Sequence, residues 1–126
     1  MKFKYNQNRY PPELALQVEV AGIQTGLRAT LEAKIDTGAA LSAAPRRLQT
    51  DLGLTEAGAL WCRGPFEQES REECVCYVRV SLPIRPEIWT IERVLLVEGE
   101  RFLLGRDILN RYVLHADGPR GVFELT

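Results

Sequence analysis

Residues 33–40 read Ala33-Lys34-Ile35-Asp36-Thr37-Gly38-Ala39-Ala40, and this stretch decides how the chain folds. Apolar and polar side chains alternate from Leu27 to Ile35, which is the period of a strand with one buried face. The alternation stops at Asp36, where an acid at the end of an apolar-faced strand loses favourable hydration. Thr37 offers a hydroxyl to lock a turn, and Gly38 lets the backbone approach closely. Asp36 is therefore the leading candidate for a functional group.

Length and composition indicate a single globular domain. The chain has 126 residues, of which 45% are hydrophobic and 26% charged, so it has enough apolar surface to bury one core. The formal net charge is −1 and the arginines are scattered, so we expect no nucleic-acid partner. No apolar run approaches the roughly 20 residues of a membrane helix. The N-terminus is polar, without a hydrophobic signal core, so we expect a cytoplasmic protein with no membrane contact.

The chain offers few metal ligands. The three cysteines, Cys62, Cys74 and Cys76, form no Cys-x-x-Cys pair, and His115 is the single histidine. We therefore predict no metal and no cofactor, and we interpret the cysteines as free thiols that pack as small apolar residues.

Strand patterns separated by turn signals run through the rest of the chain. Residues 1–13, with Pro11-Pro12, are predicted to form an N-terminal arm, and residues 14–126 the domain. Alternation predicts a hairpin of strands 14–20 and 27–35 that delivers Asp36 at its end. A short extended piece at 41–44 and a helix at 45–52 follow, and 53–72 is interpreted as a long hairpin or loop. The later strands are predicted at 74–82, 88–97, 102–104, 113–116 and 121–125, with a second short helix after Gly105. Together, these predicted elements indicate an all-β domain with two short helices.

Two stretches match one protein family in order and spacing. Ile35-Asp36-Thr37-Gly38-Ala39 resembles the active-site turn of the retropepsin-like aspartic proteases. Phe102-Leu103-Leu104-Gly105-Arg106-Asp107-Ile108-Leu109 is similar to their second signature, an apolar triplet followed by Gly-Arg-Asp/Asn and a short helix. The resemblance covers about 14–125, with 53–73 matching by position alone. It implies a single-domain acid-protease barrel with one or two short helices.

The resemblance also implies an activity and a stoichiometry. In that family each lobe supplies one Asp-Thr-Gly, and this chain has one and is too short for two lobes. A competent enzyme is then a homodimer that hydrolyses peptide or protein substrates with Asp36 of each subunit meeting on a twofold axis. By the same resemblance Thr37 holds the two acids flat, and Gly38 presents its carbonyl to the substrate backbone.

Other positions take roles by similarity to the family. Ala39 and Ala40 are expected to bind substrate, as are Gly64 and Pro65 in the segment that corresponds to the flap. Gly105, Arg106 and Asp107 are expected to support the floor of the site. Two departures stand out: Gly64-Pro65 replaces a glycine-rich tip, and Ala40 replaces an acid that pairs with the arginine in viral enzymes. We expect Arg106 to find Asp107, Glu32 or the other subunit instead, and residues 121–125 to supply strands to the dimer interface.

Simpler interpretations exist for several of these residues. Asp36 alone would be read as a turn acid, and Asp107 as an acid favoured in the first turn of a helix. His115 is interpreted as a strand histidine, and Trp61 and Trp89 as packing residues. The alternative function is a catalytically silent binding or assembly module with the same fold. A third interpretation is a thiol-dependent role of Cys74 and Cys76.

Overall fold

The computed structural model describes residues 1–63 and 70–126. Within them the chain forms ten strands and two short helices, which confirms the predicted all-β class. The strands are β1 (Lys2–Lys4), β2 (Ala15–Ala21), β3 (Arg28–Ile35), β4 (Ala43–Pro45), β5 (Glu56–Cys62), β6 (Arg71–Ser81), β7 (Thr90–Val97), β8 (Phe102–Leu104), β9 (Leu114–Asp117) and β10 (Val122–Leu125). The helices are α1 (Leu48–Asp51) and α2 (Arg106–Leu109).

Six strands close into a barrel in the order β2-β3-β8-β4-β7-β6, and β6 pairs back onto β2. β2 and β3 are antiparallel, with Val18 opposite Leu31, which confirms the predicted hairpin. β8 runs parallel to β3 with Leu104 opposite Ile35, so the second motif lies directly beside the first. Among the described residues β5 pairs with β6 alone and extends the sheet beyond the barrel.

One face of each barrel strand fills the core. In β3 the side chains of Leu31, Ala33 and Ile35 are buried, as the alternation predicts. β8 is short but central, because it pairs with both β3 and β4, and its Phe102 and Leu104 are fully buried. Each large apolar side chain buried in this way contributes about 1.5–3 kcal/mol to folding. The barrel therefore holds the end of β3, and with it Asp36, against a rigid core.

A second, three-stranded sheet joins the two ends of the chain in the order β1-β10-β9. Phe3 stacks on Phe123 with ring centroids 5.1 Å apart, and Tyr5 packs on the same ring, whereas Tyr10 is exposed. β10 has a neighbour on each edge, so its residues 122–125, which belong to the segment 121–125 that the resemblance assigns to a dimer interface, are paired within the chain.

An ion-pair cluster fastens the segment before β2 to the barrel. The Glu13 carboxylate pairs with Arg101 and with Lys34, the latter at 3.4 Å. Glu32 accepts a 2.8 Å hydrogen bond from the Asn6 side chain and lies 3.5 Å from Arg101. Residues 1–13 thus contribute a strand and these side-chain contacts to the domain.

One local prediction needs correction. The helix expected at 45–52 is shorter, since Pro45 ends strand β4 and α1 spans Leu48–Asp51. Within 53–72 the structure contains strand β5, which pairs antiparallel with β6, so the hairpin is the one of the two predicted alternatives that is present. β5 shows no apolar alternation because most of its side chains are exposed, and it forms through backbone pairing with β6, where Leu60 lies opposite Glu73.

Candidate active site

Asp36 follows the last residue of β3 and opens a tight turn. Its N–H donates to the Leu104 carbonyl at 2.9 Å, which continues the β3–β8 ladder by one residue. Its carboxylate Oδ1 accepts the Gly38 N–H at 3.0 Å, and its carbonyl accepts the Ala39 N–H at 3.2 Å. A Cβ added at Gly38 would lie 3.3 Å from that same Oδ1, so a small residue suits this position. The carboxylate is half-buried and oriented by the backbone of its own turn.

The start of α2 holds the other side of the turn. The N–H groups of Arg106 and Asp107 donate to the carbonyls of Ala39 and Ala40 at 2.8 and 3.2 Å. The Arg106 guanidinium Nη1 donates to the Thr37 carbonyl at 3.0 Å. These bonds bring Thr37, Ala39 and Ala40 together with Arg106 and Asp107, two of the three residues expected to support the floor.

Within the chain, the partner of Arg106 is neither of the two acids that were expected, Asp107 and Glu32. It is a backbone carbonyl in the Asp36 turn, because Ala40 has no carboxylate and the other acids are engaged elsewhere. Glu32 contacts Asn6 and Arg101, and Asp107 contacts Ser42. Arg106 therefore braces the turn directly.

Ser42 is a site residue that the sequence analysis missed. Its side chain is fully buried, and its Oγ donates to Asp107 Oδ1 at 2.7 Å while accepting the Gly105 N–H at 2.9 Å. The Ser42 N–H also donates to both Asp107 carboxylate oxygens, at 3.1 and 3.0 Å. The available signal was a lone hydroxyl inside the apolar run Leu41–Ala44.

Asp107 is thus more than an acid in the first turn of a helix. Its Oδ1 accepts the Ile108 N–H at 2.9 Å, as that interpretation requires, but its carboxylate also ties α2 to the chain at Ser42. Gly105 permits this close approach, because a Cβ there would lie 2.7 Å from the Leu41 carbonyl carbon and 2.9 Å from the Ser42 nitrogen. Real Cβ atoms cannot approach backbone so closely, so glycine is required.

A cleft of about 700 Å³ opens above Asp36. Its floor is the Asp36 turn and its roof is the end of β5; the lining residues are Asp36, Gly38, Ala39, Ala40, Leu41, Leu60, Trp61, Cys62, Arg63 and Leu95. The Trp61 side chain is 72% exposed and faces this cleft, so its interpretation as a packing residue is wrong. Gly64 and Pro65 lie outside the described residues.

The remaining candidates either do not line the cleft or are thiols whose pKa is raised. Trp89 packs under the Arg28 guanidinium, 4.9 Å from the ring centroid, and His115 is exposed on β9. Burial, with hydrogen bonding to Glu56 as the next cause, raises the pKa of Cys74 to about 12. Burial also raises the pKa of the Cys76 and Cys62 thiols, so all three cysteines stay protonated at neutral pH and are poor nucleophiles.

In 1–63 and 70–126, no three or more His, Cys, Asp or Glu side chains cluster in a way that would hold a metal ion. None of the helices in the described part of the chain has the length and hydropathy needed to cross a membrane.

Solved structures share this fold. A retropepsin-like aspartic protease from Rickettsia conorii matches with a TM-score of 0.62 at 15% identity, over 99% of this chain and 90% of that one. The EIAV protease in complex with the inhibitor HBY-793 matches with a TM-score of 0.57 at 19% identity, over 86% of this chain and 93% of that one. The Simian Foamy Virus (mac) protease matches with a TM-score of 0.56 at 16% identity, over 77% and 92%. No protein-family model and no curated protein matches the sequence.

At such identities the likeness shows the fold. The chain therefore has the single-domain retropepsin-like fold, and the resemblance inferred from its two motifs is confirmed at that level.

Proposed function

We propose that this chain, which has the retropepsin-like fold, is an aspartic endopeptidase that works as a homodimer. The observation that carries the proposal is the Asp36 carboxylate on the floor of a 700 Å³ cleft, in a turn whose backbone is bonded on both sides. The cleft mixes apolar walls with exposed backbone, which suits an extended peptide.

One chain supplies one acid, so the dimer is part of the proposal. Thr37 and Gly38 are exposed beside Asp36, which leaves this side of the turn accessible to a second copy. In a twofold dimer the two Asp36 carboxylates would lie close together. Carboxylates about 3 Å apart share one proton, because ionising both is costly.

The shared proton explains the chemistry. The ionised Asp36 takes a proton from a water molecule held between the two acids, while the protonated one donates its hydrogen to the scissile carbonyl oxygen. The hydroxide equivalent attacks the carbonyl carbon and forms a tetrahedral diol. The first acid then gives its proton to the departing amine as the second takes one back, so the dyad returns to its starting state. The two macroscopic pKa values belong to the pair.

Roles of the neighbouring residues follow from this arrangement. Thr37 holds the two turns against each other, with its carbonyl fixed by Arg106. The Gly38 carbonyl accepts a hydrogen bond from the substrate backbone, and the backbone groups of Ala39 and Ala40 form further hydrogen bonds with it. The Trp61 side chain covers the substrate from the roof of the cleft. Gly64 and Pro65 remain proposed as the tip of the flap.

The test is a peptidase assay on a mixed peptide library between acid and neutral pH. Asp36→Asn should lower the rate by at least about 10³-fold, since it removes the reacting group. Asp51→Asn is the matched control, because Asp51 is an exposed acid on α1 paired with Arg47. Activity that survives Asp36→Asn rules out the mechanism.

A mixing experiment tests the shared dyad. When wild-type and Asp36→Asn chains exchange at equal concentration, about one quarter of the dimers keep two Asp36 residues, and activity should fall toward that fraction. Activity of one half would mean that each chain acts alone. A chain that is monomeric and inactive would instead indicate a silent binding module.

A further inference from the structure

A small cavity of about 160 Å³ lies at the other end of the barrel from the Asp36 turn. It is lined by the turn at 22–26, by the Trp89 ring and by two arginines, Arg28 and Arg79. Arg28 is the first residue of β3 and Asp36 follows the last, so the length of this strand, roughly 26 Å, separates the cavity from the candidate active site. The cavity is therefore a separate place on the molecule.

The sheet register brings the two arginines to the two sides of one small residue. Ala21 on β2 lies opposite Arg28 on β3 and opposite Arg79 on β6. Residues directly opposite each other in antiparallel strands share one face of the sheet, and the exposure of both arginines identifies it as the outer face. The Ala21 side chain is a single methyl group and is 5% exposed, so it forms a floor between two long cationic side chains.

Contacts within the chain hold this arrangement in place. The Arg28 guanidinium carbon lies 4.9 Å from the centroid of the Trp89 ring, which is a cation–π contact. The turn beside it is closed by the Gly22 N–H, which donates to the Leu27 carbonyl at 2.9 Å. A site whose groups are already fixed loses less conformational entropy when a ligand binds.

The positive charge of the cavity is not neutralised. Within 1–63 and 70–126, neither Arg28 nor Arg79 forms an ion pair with a carboxylate. An acid on the same outer face, Glu19, lies two residues before Ala21 on β2, opposite Thr30 and Ser81, and is not paired with either arginine. Two like charges that line one cavity repel each other, and an anion bound between them would remove this repulsion.

We propose that this cavity binds a phosphate dianion, either free or as a monoester. Two guanidinium groups supply two positive charges and forked N–H donors, which match the charge and the oxygens of a phosphate better than those of a singly charged carboxylate. The face of Trp89 that Arg28 covers is not free to stack on a nucleobase, so the group recognised is the phosphate itself. The site uses neither Asp36 nor a second copy of the chain, so it is independent of the proposed function.

Titration with two phosphate compounds tests the site and identifies the source of the phosphate. Nitrogen–proton correlation NMR spectra of the whole chain are recorded above the second pKa of phosphate, about 6, and at constant ionic strength. Inorganic phosphate and O-phosphoserine should each shift the Trp89 indole N–H and the Ala21 and Gly22 amides in a saturable way. Tighter binding of O-phosphoserine indicates a phosphorylated side chain as the natural ligand, and tighter binding of inorganic phosphate indicates the free ion. Sodium acetate should shift none of these signals.

Substitutions of single arginines show which charges bind the phosphate. Arg28→Gln and Arg79→Gln should each raise the Kd at least about tenfold, because each removes charge-assisted hydrogen bonds. Arg79→Gln leaves the contact between Arg28 and Trp89 in place, so its effect reports the lost charge. Arg93→Gln is the matched control: Arg93 is an exposed arginine on β7, opposite Tyr77, that does not line the cavity, and its loss should leave the Kd unchanged.

Glu19→Gln should act in the opposite direction. It removes a negative charge from the same face and should lower the Kd for phosphate roughly twofold at low ionic strength. The inference is overturned if neither phosphate compound gives saturable shifts, if acetate gives the same shifts, or if Arg79→Gln weakens binding no more than Arg93→Gln. None of these results would affect the proposed peptidase, whose assay requires no phosphate.

Discussion

The floor and the roof of the cleft are built in opposite ways. On the floor the Asp36 turn, the loop at Ser42 and the start of α2 are joined by backbone and side-chain hydrogen bonds of 2.7–3.2 Å. The roof is the end of β5, whose side chains are mostly exposed and whose backbone pairs, among the described residues, on one edge with β6. The part of the floor that this chain supplies is thus held by a network of hydrogen bonds, whereas the described part of the roof is held by the pairing of β5 with β6.

This difference separates two tasks. An acid that must act in a defined geometry benefits from a floor that is fixed before substrate arrives, since reorganisation during the reaction is costly. A roof that contacts varied substrates needs exposed apolar side chains and an open edge, at the low-stability end of the fold. Substitutions in the floor should therefore lower both stability and activity, whereas substitutions in the roof should lower activity alone.

Ser42→Ala should have the largest effect on stability. It leaves the Gly105 N–H and the Asp107 carboxylate each short of a buried partner, and we expect a loss of about 2–3 kcal/mol in the free energy of unfolding. Activity should fall too, because Asp107 anchors α2 beneath the Asp36 turn. Urea denaturation at matched protein concentration measures the loss. Ser81→Ala is the control: among the residues that the structure describes, the buried Ser81 hydroxyl makes a single bond, to the Pro86 carbonyl at 2.9 Å, and its loss should cost about 1 kcal/mol. Equal losses for the two variants would contradict the special role of the floor.

Trp61→Ala should affect activity while the fold is unchanged. Its side chain is 72% exposed, so the free energy of unfolding should change by less than about 0.5 kcal/mol. We expect kcat/KM to fall roughly tenfold, mainly through KM, because an apolar contact with substrate is worth about 1–3 kcal/mol. The matched control is Trp89→Ala, which loses its stacking with Arg28 and should reduce stability slightly with no change in kcat/KM. If both variants behave alike in the peptidase assay, Trp61 does not cover the substrate.

Glu13→Gln should give the smallest effect, and it lies outside both regions. The hydrogen bond from Arg101 lowers the pKa of Glu13 in the folded chain. A lowered folded pKa means that the ion pair stabilises the fold above the unfolded pKa, and that this contribution is lost as the pH falls through the folded pKa. Glu13→Gln should therefore cost under about 1 kcal/mol at pH 7 and nothing in strong acid, with kcat unaffected.

The control for that prediction is Glu98→Gln, because Glu98 pairs with Arg46 but its side chain is 87% exposed. No change in the free energy of unfolding is expected for it at any pH. A Glu13→Gln protein that loses the same stability at low and neutral pH would show that the loss is steric and not ionic.

The local pattern of apolar and polar residues was sufficient to predict the strand and the turn that carry Asp36. The alternation from Leu27 to Ile35 predicts β3, and the break at Asp36 predicts the turn that follows it. The two motifs are distant in the sequence but adjacent in the sheet, because β3 and β8 pair in parallel. The Leu104 carbonyl accepts the Asp36 N–H, and Gly105 and Arg106 come next in the chain.

Features that depend on non-local contacts escaped the sequence. The bounds of β5 inside the predicted hairpin or loop were not predicted, because β5 has no apolar period and its backbone bonds to β6 carry no side-chain signal. In the sequence Ser42 is a single hydroxyl in an apolar run. Its partner Asp107 lies 65 residues away along the chain, so their contact is visible only in the folded structure. The partner of Arg106 was missed for a related reason: a backbone carbonyl accepts as well as a carboxylate, and sequence does not tell which carbonyl lies within reach.

The sequence by itself determined the strand periods, the position of Asp36 and the presence of one Asp-Thr-Gly in the chain, because these depend on neighbouring residues and on counting. The tertiary structure alone decided which groups brace the Asp36 turn, that Trp61 faces the cleft, and that β10 is enclosed while β9, in the described part of the chain, remains an open edge. These outcomes follow from pairing between distant segments, where the polarity of each backbone hydrogen bond is set by register, and register is a property of the assembled sheet.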